Sequence, residues 1–212
     1  MALDRSLGPA EGENVGTNLQ VRPGEVRQRK RPRLKDFSYV GKHTYHLVLV
    51  TKDRNACFEV SSAAQTCCAT LEVIAAERSF DLLAYCLMPD HLHTLVRGQD
   101  WSSDLSEFVR RLKQQTAFDY KRQHGGVLWQ QSFFDRVLRK DESLDDVAAY
   151  IFANPLVAGL VNDASEFAYA GGSMLTRSLG SDGAKAASLR FAAGRQARYS
   201  HFWRGPNHDE PA

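Results

Sequence analysis

The sequence predicts an α+β domain on the ferredoxin-like or RRM-like plan, an antiparallel sheet with helices on one face. Three observations lead there. Apolar, β-branched stretches of strand length alternate with amphipathic stretches of helix length, in the order strand, helix, strand, strand, helix, strand, helix. Two of the strand-like stretches, 81–88 and 91–97, are separated only by a tight Pro89-Asp90 connection and so read as antiparallel neighbours. The chain has 212 residues and 43% hydrophobic content, enough for one domain with extensions.

Taken in order, residues 1–21 are polar, glycine-containing and weakly patterned, and are expected to be disordered. Between Arg22 and Lys42 stand eight Lys or Arg against Glu25 and Asp36, with Arg27, Arg29, Lys30, Arg31 and Arg33 at the dense centre. Such a segment is either an arm that follows a phosphate backbone or a solvated tail. Residues 45–51 are apolar and β-branched and predict a strand. From 60 to 78, Ala63, Ala64, Cys67, Leu71, Ile74 and Ala75 recur at helical spacing. Over 103–123, Leu105, Phe108, Val109 and Leu112 give a second helix an inward face, and Gly125-Gly126 stops it. Its outer face carries Arg110 and Lys113, ordinarily a solvated decoration. A strand over 133–139 follows, with Arg136 and Arg139 directed out of the core. Ser143 caps a last helix, and Pro155 is expected to mark its end. The predicted domain spans 37–165, preceded by a disordered, arm-bearing region over 1–36 and followed by an extension over 166–212. That extension is either a DNA-contacting segment or a strand and helix packed on the domain.

Several classes are excluded. No apolar run approaches the ~18 residues of a membrane helix. The first residues lack the apolar core of a signal peptide. A soluble cytoplasmic protein without membrane partners is expected. Cys57, Cys67, Cys68 and Cys86 show no C-x-x-C spacing. They suggest neither a zinc knuckle nor a disulfide framework, and read as small apolar residues.

The most chemically informative stretch is Met88-Pro89-Asp90-His91-Leu92-His93. Side chains alternate along a strand, so His91 and His93 share a face and Leu92 points into the opposite layer. Two adjacent imidazoles can chelate one metal ion. The other reading is two half-buried core histidines. Downstream, Tyr150 and Asn154 lie four residues apart, on one face of a helix. Asp90 either orients a histidine or simply makes the turn. Trp129 either stacks an unpaired base or fills the core.

With these blocks in this order, the chain resembles the single-tyrosine HUH transposases, and within them the REP-associated tyrosine transposases. The resemblance runs from Tyr45 to Val161. It is carried by Tyr45-His46-Leu47-Val48, Thr51-Lys52-Asp53-Arg54, Met88-Pro89-Asp90-His91-Leu92-His93, Leu128-Trp129-Gln130, Phe133-Phe134-Asp135-Arg136 and Tyr150-Ile151-Phe152-Ala153-Asn154-Pro155. It implies a DNA-nicking and strand-transfer enzyme. Tyr150 would attack the phosphorus and form a 5′-phosphotyrosine. His91 and His93 would hold Mg²⁺ or Mn²⁺. Asn154 would stand where relatives carry a glutamine as third ligand, a departure that shortens the reach. The partner would be single-stranded or hairpin DNA from palindromic repeats, met by a nucleoid-associated monomer or homodimer. The basic arm and Arg110, Lys113, Arg136 and Arg139 are the candidate DNA contacts.

Other functions compete. A non-catalytic palindrome-binding protein of the same fold would have no use for His91, His93, Tyr150 and Asn154 together. A relaxase or replication initiator shares the chemistry, but the Y-I-x-x-N-P block and small size favour the transposase. A metal hydrolase built on H-x-H needs further ligands. His43, His46, His124, His201 and His208 form no second metal motif, and the chain is short for a (β/α)₈ barrel.

Overall fold

The computed structural model describes residues 37–175. Five antiparallel strands form one open sheet, in the order β4-β1-β3-β2-β5. They are β1 (Thr44–Val50), β2 (Phe80–Met88), β3 (His91–Gly98), β4 (Phe134–Val137) and β5 (Ala170–Gly171). Three helices accompany them: α1 (Ser61–Glu77), α2 (Leu105–His124) and α3 (Leu144–Val157). The strand and helix order is the predicted one, with β5 added. Among the described residues no helix is long and apolar enough to cross a membrane.

Both faces of the sheet are buried, which explains where the helices go. In β1, Tyr45, Leu47 and Leu49 join a core shared with α1 and α2, through Leu71, Ile74, Phe108 and Leu112. On the other face Leu83, Cys86, Met88 and Leu95 meet Val147, Ala148, Ile151 and Phe152 of α3. The α+β class and the antiparallel sheet are as the sequence predicts. The helices, however, occupy both faces. A strand such as β3, buried from His91 to Val96, needs cover on each side. Full burial of an aliphatic or aromatic side chain contributes about 1.5–3 kcal/mol, so α3 is held to the sheet by several such contacts.

The termini of the helices follow local chemistry. The Asp104 carboxylate accepts hydrogen bonds from the Ser106 and Glu107 amides and starts α2. Ser143 does the same for the Asp146 amide in α3. Pro155 does not end α3, contrary to expectation: the helix passes through it to Val157. Gly159, at φ +70°, provides the stop. Its amide bonds to the Leu156 carbonyl, and the Leu160 amide bonds to the Pro155 carbonyl, the paired closure that a left-handed glycine permits.

The sheet and core continue past residue 165. Ala170 and Gly171 pair with Cys86 and Tyr85 of β2, and Met174 is buried in the α3 core. Trp129 is a core residue, packed 5.4 Å from Phe58 between ring centroids and donating from its indole N–H to the Thr116 hydroxyl at 2.8 Å.

At the far end of β3 the chain crosses itself closely. A Cβ placed on Gly98 would sit 2.2 Å from the Gly41 carbonyl oxygen and 2.9 Å from Ser103 Cβ. Gly98→Ala is therefore expected to destabilise the fold by about 1–3 kcal/mol. Chemical denaturation should show a lower midpoint with an unchanged slope.

Candidate active site

The site begins at the Pro89-Asp90 turn, where β2 reverses into β3. Three hydrogen bonds clamp this turn: the Thr51 amide and hydroxyl both donate to the Asp90 carbonyl, at 2.9 Å each, and the Phe58 amide donates to the Pro89 carbonyl at 3.0 Å. The first residue of β3 is thereby fixed against β1. In register, His91 lies between Val50 and Met88, and His93 between Val48 and Cys86.

His91 and His93 share one face, as expected, and their Nε2 atoms are 3.1 Å apart. Each ring is held from behind. His91 Nδ1 meets the Asp90 carboxylate at 2.5 Å, and Arg54 donates to the other Asp90 oxygen at 2.8 Å. His93 Nδ1 meets His46 Nε2 at 3.3 Å. Both ligand candidates are buried, at 6% and 2% exposure. What surrounds them is imidazole, carboxylate and phenol as well as hydrocarbon. Asp90 thus orients His91 in addition to making the turn.

The electrostatics follow from burial. Desolvation, reinforced by Arg136, lowers the His46 pKa to about 4. Desolvation, with His91 and His46 adding to it, holds His93 well below the ordinary histidine range. Both rings are therefore neutral, the state in which an imidazole nitrogen can donate a lone pair. Burial alone would push the Asp90 carboxyl up, but the hydrogen bond and charge of His91 and the charge of Arg54 hold it below its usual range.

The helix α3 brings Tyr150 onto this cluster. Its half-buried ring stands edge-on to His46 and His93, at centroid distances of 5.9 and 5.8 Å. Burial raises its phenol pKa, so a neighbouring positive charge is needed to favour the phenolate. The rival tyrosines are elsewhere. Tyr85 donates to Glu72 at 2.9 Å, and Tyr120 packs against the α1–α2 core on the opposite face.

Asn154 lies one turn beyond Tyr150, and its side-chain amide is engaged in its own helix. Nδ2 donates to the Tyr150 carbonyl at 2.9 Å and to the Ile151 carbonyl at 3.1 Å. The second bond has a clear cause. In an α-helix the Ile151 carbonyl would accept from residue 155, which is proline and has no N–H. Asn154 replaces the missing donor. Asn154→Ala should therefore cost about 1–3 kcal/mol of stability through the orphaned carbonyl, a shift in thermal midpoint visible without any added cation.

The candidate DNA contacts divide. Arg136 lies on β4 directly opposite His46, on the histidine face, and is paired with Glu142. Arg139 follows β4 and is exposed. Arg110 and Lys113 are on α2, which packs on the other face. Arg110 is bound to Glu107 at 2.7 Å, and the Lys113 ammonium donates to the Gln130 and Gln131 carbonyls at 2.7 and 3.0 Å. Arg27, Arg29, Lys30, Arg31 and Arg33 lie outside the described residues. His46, Arg54 and Glu142 are not among the site candidates that the sequence offers. For His46 a signal existed: it alternates with Val48 and Val50, a histidine among buried valines on one face of β1.

The pair of Nε2 atoms fits a cation. Two nitrogens about 2.1 Å from one ion in adjacent octahedral positions are about 3.0 Å apart. Among the described residues no cluster of three or more His, Cys, Asp or Glu side chains is gathered to hold an ion. Remaining positions would fall to an amide oxygen, water or a phosphate.

Comparison with known proteins gives a family and a fold. The model of the family "Transposase IS200 like" matches residues 39–154, more than half of the chain. A protein of Haemophilus influenzae described as a REP-associated tyrosine transposase is 28% identical over an alignment of 101 residues, with 42% of this chain and 57% of that protein covered. The chain thus matches little more than half the length of this curated relative. Among solved structures, a REP-associated tyrosine transposase bound to a REP hairpin superposes with a TM-score of 0.59 at 18% identity, over 72% of this chain and 87% of the other. A transposase from Deinococcus radiodurans R1 aligns at 27% identity over 52% of this chain and 87% of its own, with a TM-score of 0.40.

Proposed function

Because the chain belongs to the IS200-like transposase family, we propose that it nicks and rejoins single-stranded or hairpin DNA of palindromic repeats, through a 5′-phosphotyrosine on Tyr150. The observation that carries this reading is the convergence of three groups: two Nε2 atoms 3.1 Å apart and the Tyr150 ring beside His93. The hairpin partner is supported by the structural neighbour, which was solved with a REP hairpin.

His91 and His93 would hold the cation, Mg²⁺ or Mn²⁺, with Asp90 and His46 fixing the rings. When bound, the cation polarises a phosphate oxygen and favours the phenolate. Tyr150 oxygen attacks the phosphorus, and the bond to the 3′ oxygen breaks, leaving a free 3′-hydroxyl. The phosphotyrosine conserves the energy of the broken bond, so a second 3′-hydroxyl can displace Tyr150 and rejoin the strands without ATP. Asn154 keeps Oδ1 as an acceptor while Nδ2 serves the helix, which supports a role as third ligand. Arg136 and Arg139 would follow the phosphates along the β4 edge. Arg110 and Lys113 have protein partners and sit behind the sheet, which makes them the weakest of these candidates.

The test is a labelled hairpin oligonucleotide with unpaired flanks, compared with the same sequence fully paired. Mn²⁺-dependent nicking of the hairpin alone is expected, with loss on chelation. Cleavage of both substrates at the same rate would contradict the single-stranded or hairpin preference.

The basic arm is assigned to the phosphate backbone. Removing residues 1–36 should weaken hairpin binding and flatten its salt dependence, by about 0.7–0.9 units of log-log slope for each phosphate that the arm neutralises. An unchanged slope would mean that the arm neutralises none.

A further inference from the structure

We propose that His46 is the positioning residue that makes His93 able to hold the cation. The inference rests on the reading of His91 and His93 as a cation site, and extends it to a residue on a different strand.

An imidazole has two nitrogens, and only the one without a proton can ligate. His93 points Nε2 at His91 Nε2, so that nitrogen must be the bare one when a cation is held. Its proton must then sit on Nδ1, and a buried N–H needs an acceptor. The atom facing His93 Nδ1 is His46 Nε2, at 3.3 Å. His46 accepts there only if its own proton is on Nδ1. The opposite arrangement, with His46 Nε2–H donating to His93 Nδ1, puts the His93 proton on Nε2, where it blocks the ligand position. One ring's tautomer thus fixes the other's.

His46 is held in place by its neighbours. It is 5% exposed, its ring is nearly parallel to His93, at 21° and 5.6 Å between centroids, and it is bounded by Phe134 at 6.5 Å and Tyr150 at 5.9 Å. Its register opposite Leu95 on β3 and Arg136 on β4 fixes the strand beneath it. The two candidate ligands are therefore oriented by different chemistry: His91 by a carboxylate from its own turn, His93 by a third histidine from β1.

The inference is tested by Mn²⁺ titration, following free Mn²⁺ by electron paramagnetic resonance, on the full chain without DNA. His46→Phe keeps the ring volume and removes the acceptor; it should weaken Mn²⁺ binding about 10–100-fold. His46→Gln retains an acceptor at a similar reach, and should recover affinity to within about threefold of wild type. Equal, wild-type affinity in both variants would overturn the proposal, as would equal loss in both when each is folded by circular dichroism. Nitrogen-15 spectra of the wild-type histidines with Mg²⁺ bound give a check that needs no variant. His46 should be the Nδ1–H tautomer, and an Nε2–H tautomer would overturn the assignment. Undiminished Mn²⁺ affinity in His93→Ala would instead refute the cation site itself, and the inference with it.

Discussion

Tyr150→Phe is expected to abolish the covalent protein–DNA adduct while leaving hairpin binding and the fold in place. The substitution removes one oxygen from a half-buried ring on α3 that meets His46 and His93 through ring edges and faces. The stability cost should not exceed that of one hydrogen bond, about 0.5–1.5 kcal/mol. The kinetic cost is of another order, because loss of a nucleophile leaves only binding and electrostatic effects; cleavage should fall by roughly 10⁴–10⁶-fold. Denaturing gels with labelled hairpin DNA and Mn²⁺ read the adduct, and filter binding reads the affinity. Adduct formation by the Phe variant, with loss in Tyr120→Phe, would move the nucleophile to α2.

The second large effect is expected from the histidine pair. His91→Ala and His93→Ala should each reduce nicking about a thousandfold or more, equivalent to ~4 kcal/mol of lost transition-state stabilisation. The two variants should differ in stability. His91→Ala leaves Asp90 with its ion pair to Arg54 at 2.8 Å. His93→Ala opens a cavity in the central strand and strips His46 Nε2 of its partner, so it should be the less stable variant in thermal unfolding. Hairpin affinity measured without a cation should be nearly unchanged in both. Retained nicking by either alanine variant would contradict the proposed cation site.

Much of this is legible in the chain. The alternation of His91, Leu92 and His93 defines a shared face, and the Pro89-Asp90 connection defines the hairpin that carries it. The i, i+4 spacing of Tyr150 and Asn154 places both on one helix. What period cannot supply is the partner across the sheet. His46 is far from His91 in sequence and reads as an isolated histidine; only the antiparallel register of β1 with β3 brings it to His93. Nor can local rules show that Pro155 sits inside α3, because the compensation comes from the side chain of Asn154, which the resemblance assigns to the metal instead. The second helical layer is likewise hidden. Strand segments buried on both faces read as continuous apolar runs, and nothing in β2 or β3 says which helix covers which side. β5 spans only Ala170–Gly171, too short to carry a pattern.

Asn154 illustrates how structural and chemical roles overlap. Its Nδ2 supports the helix at the proline while its Oδ1 stays available, so replacement by alanine should impair both stability and cleavage. Asn154→Asp separates the two, since it keeps an oxygen acceptor but loses the donor to the Ile151 carbonyl. It should retain Mn²⁺ binding and lose stability.

Tyr150 is expected to become covalently attached to DNA beside the histidine pair. Peptide mass spectrometry of the adduct formed with a hairpin oligonucleotide and Mn²⁺ tests it most directly. The expected product is a nucleotide-bearing peptide whose modified residue is Tyr150, joined through a 5′ phosphate, with a free 3′-hydroxyl on the released strand. Attachment at Tyr85, Tyr120 or any residue outside α3, or a 3′-linked adduct, would contradict it.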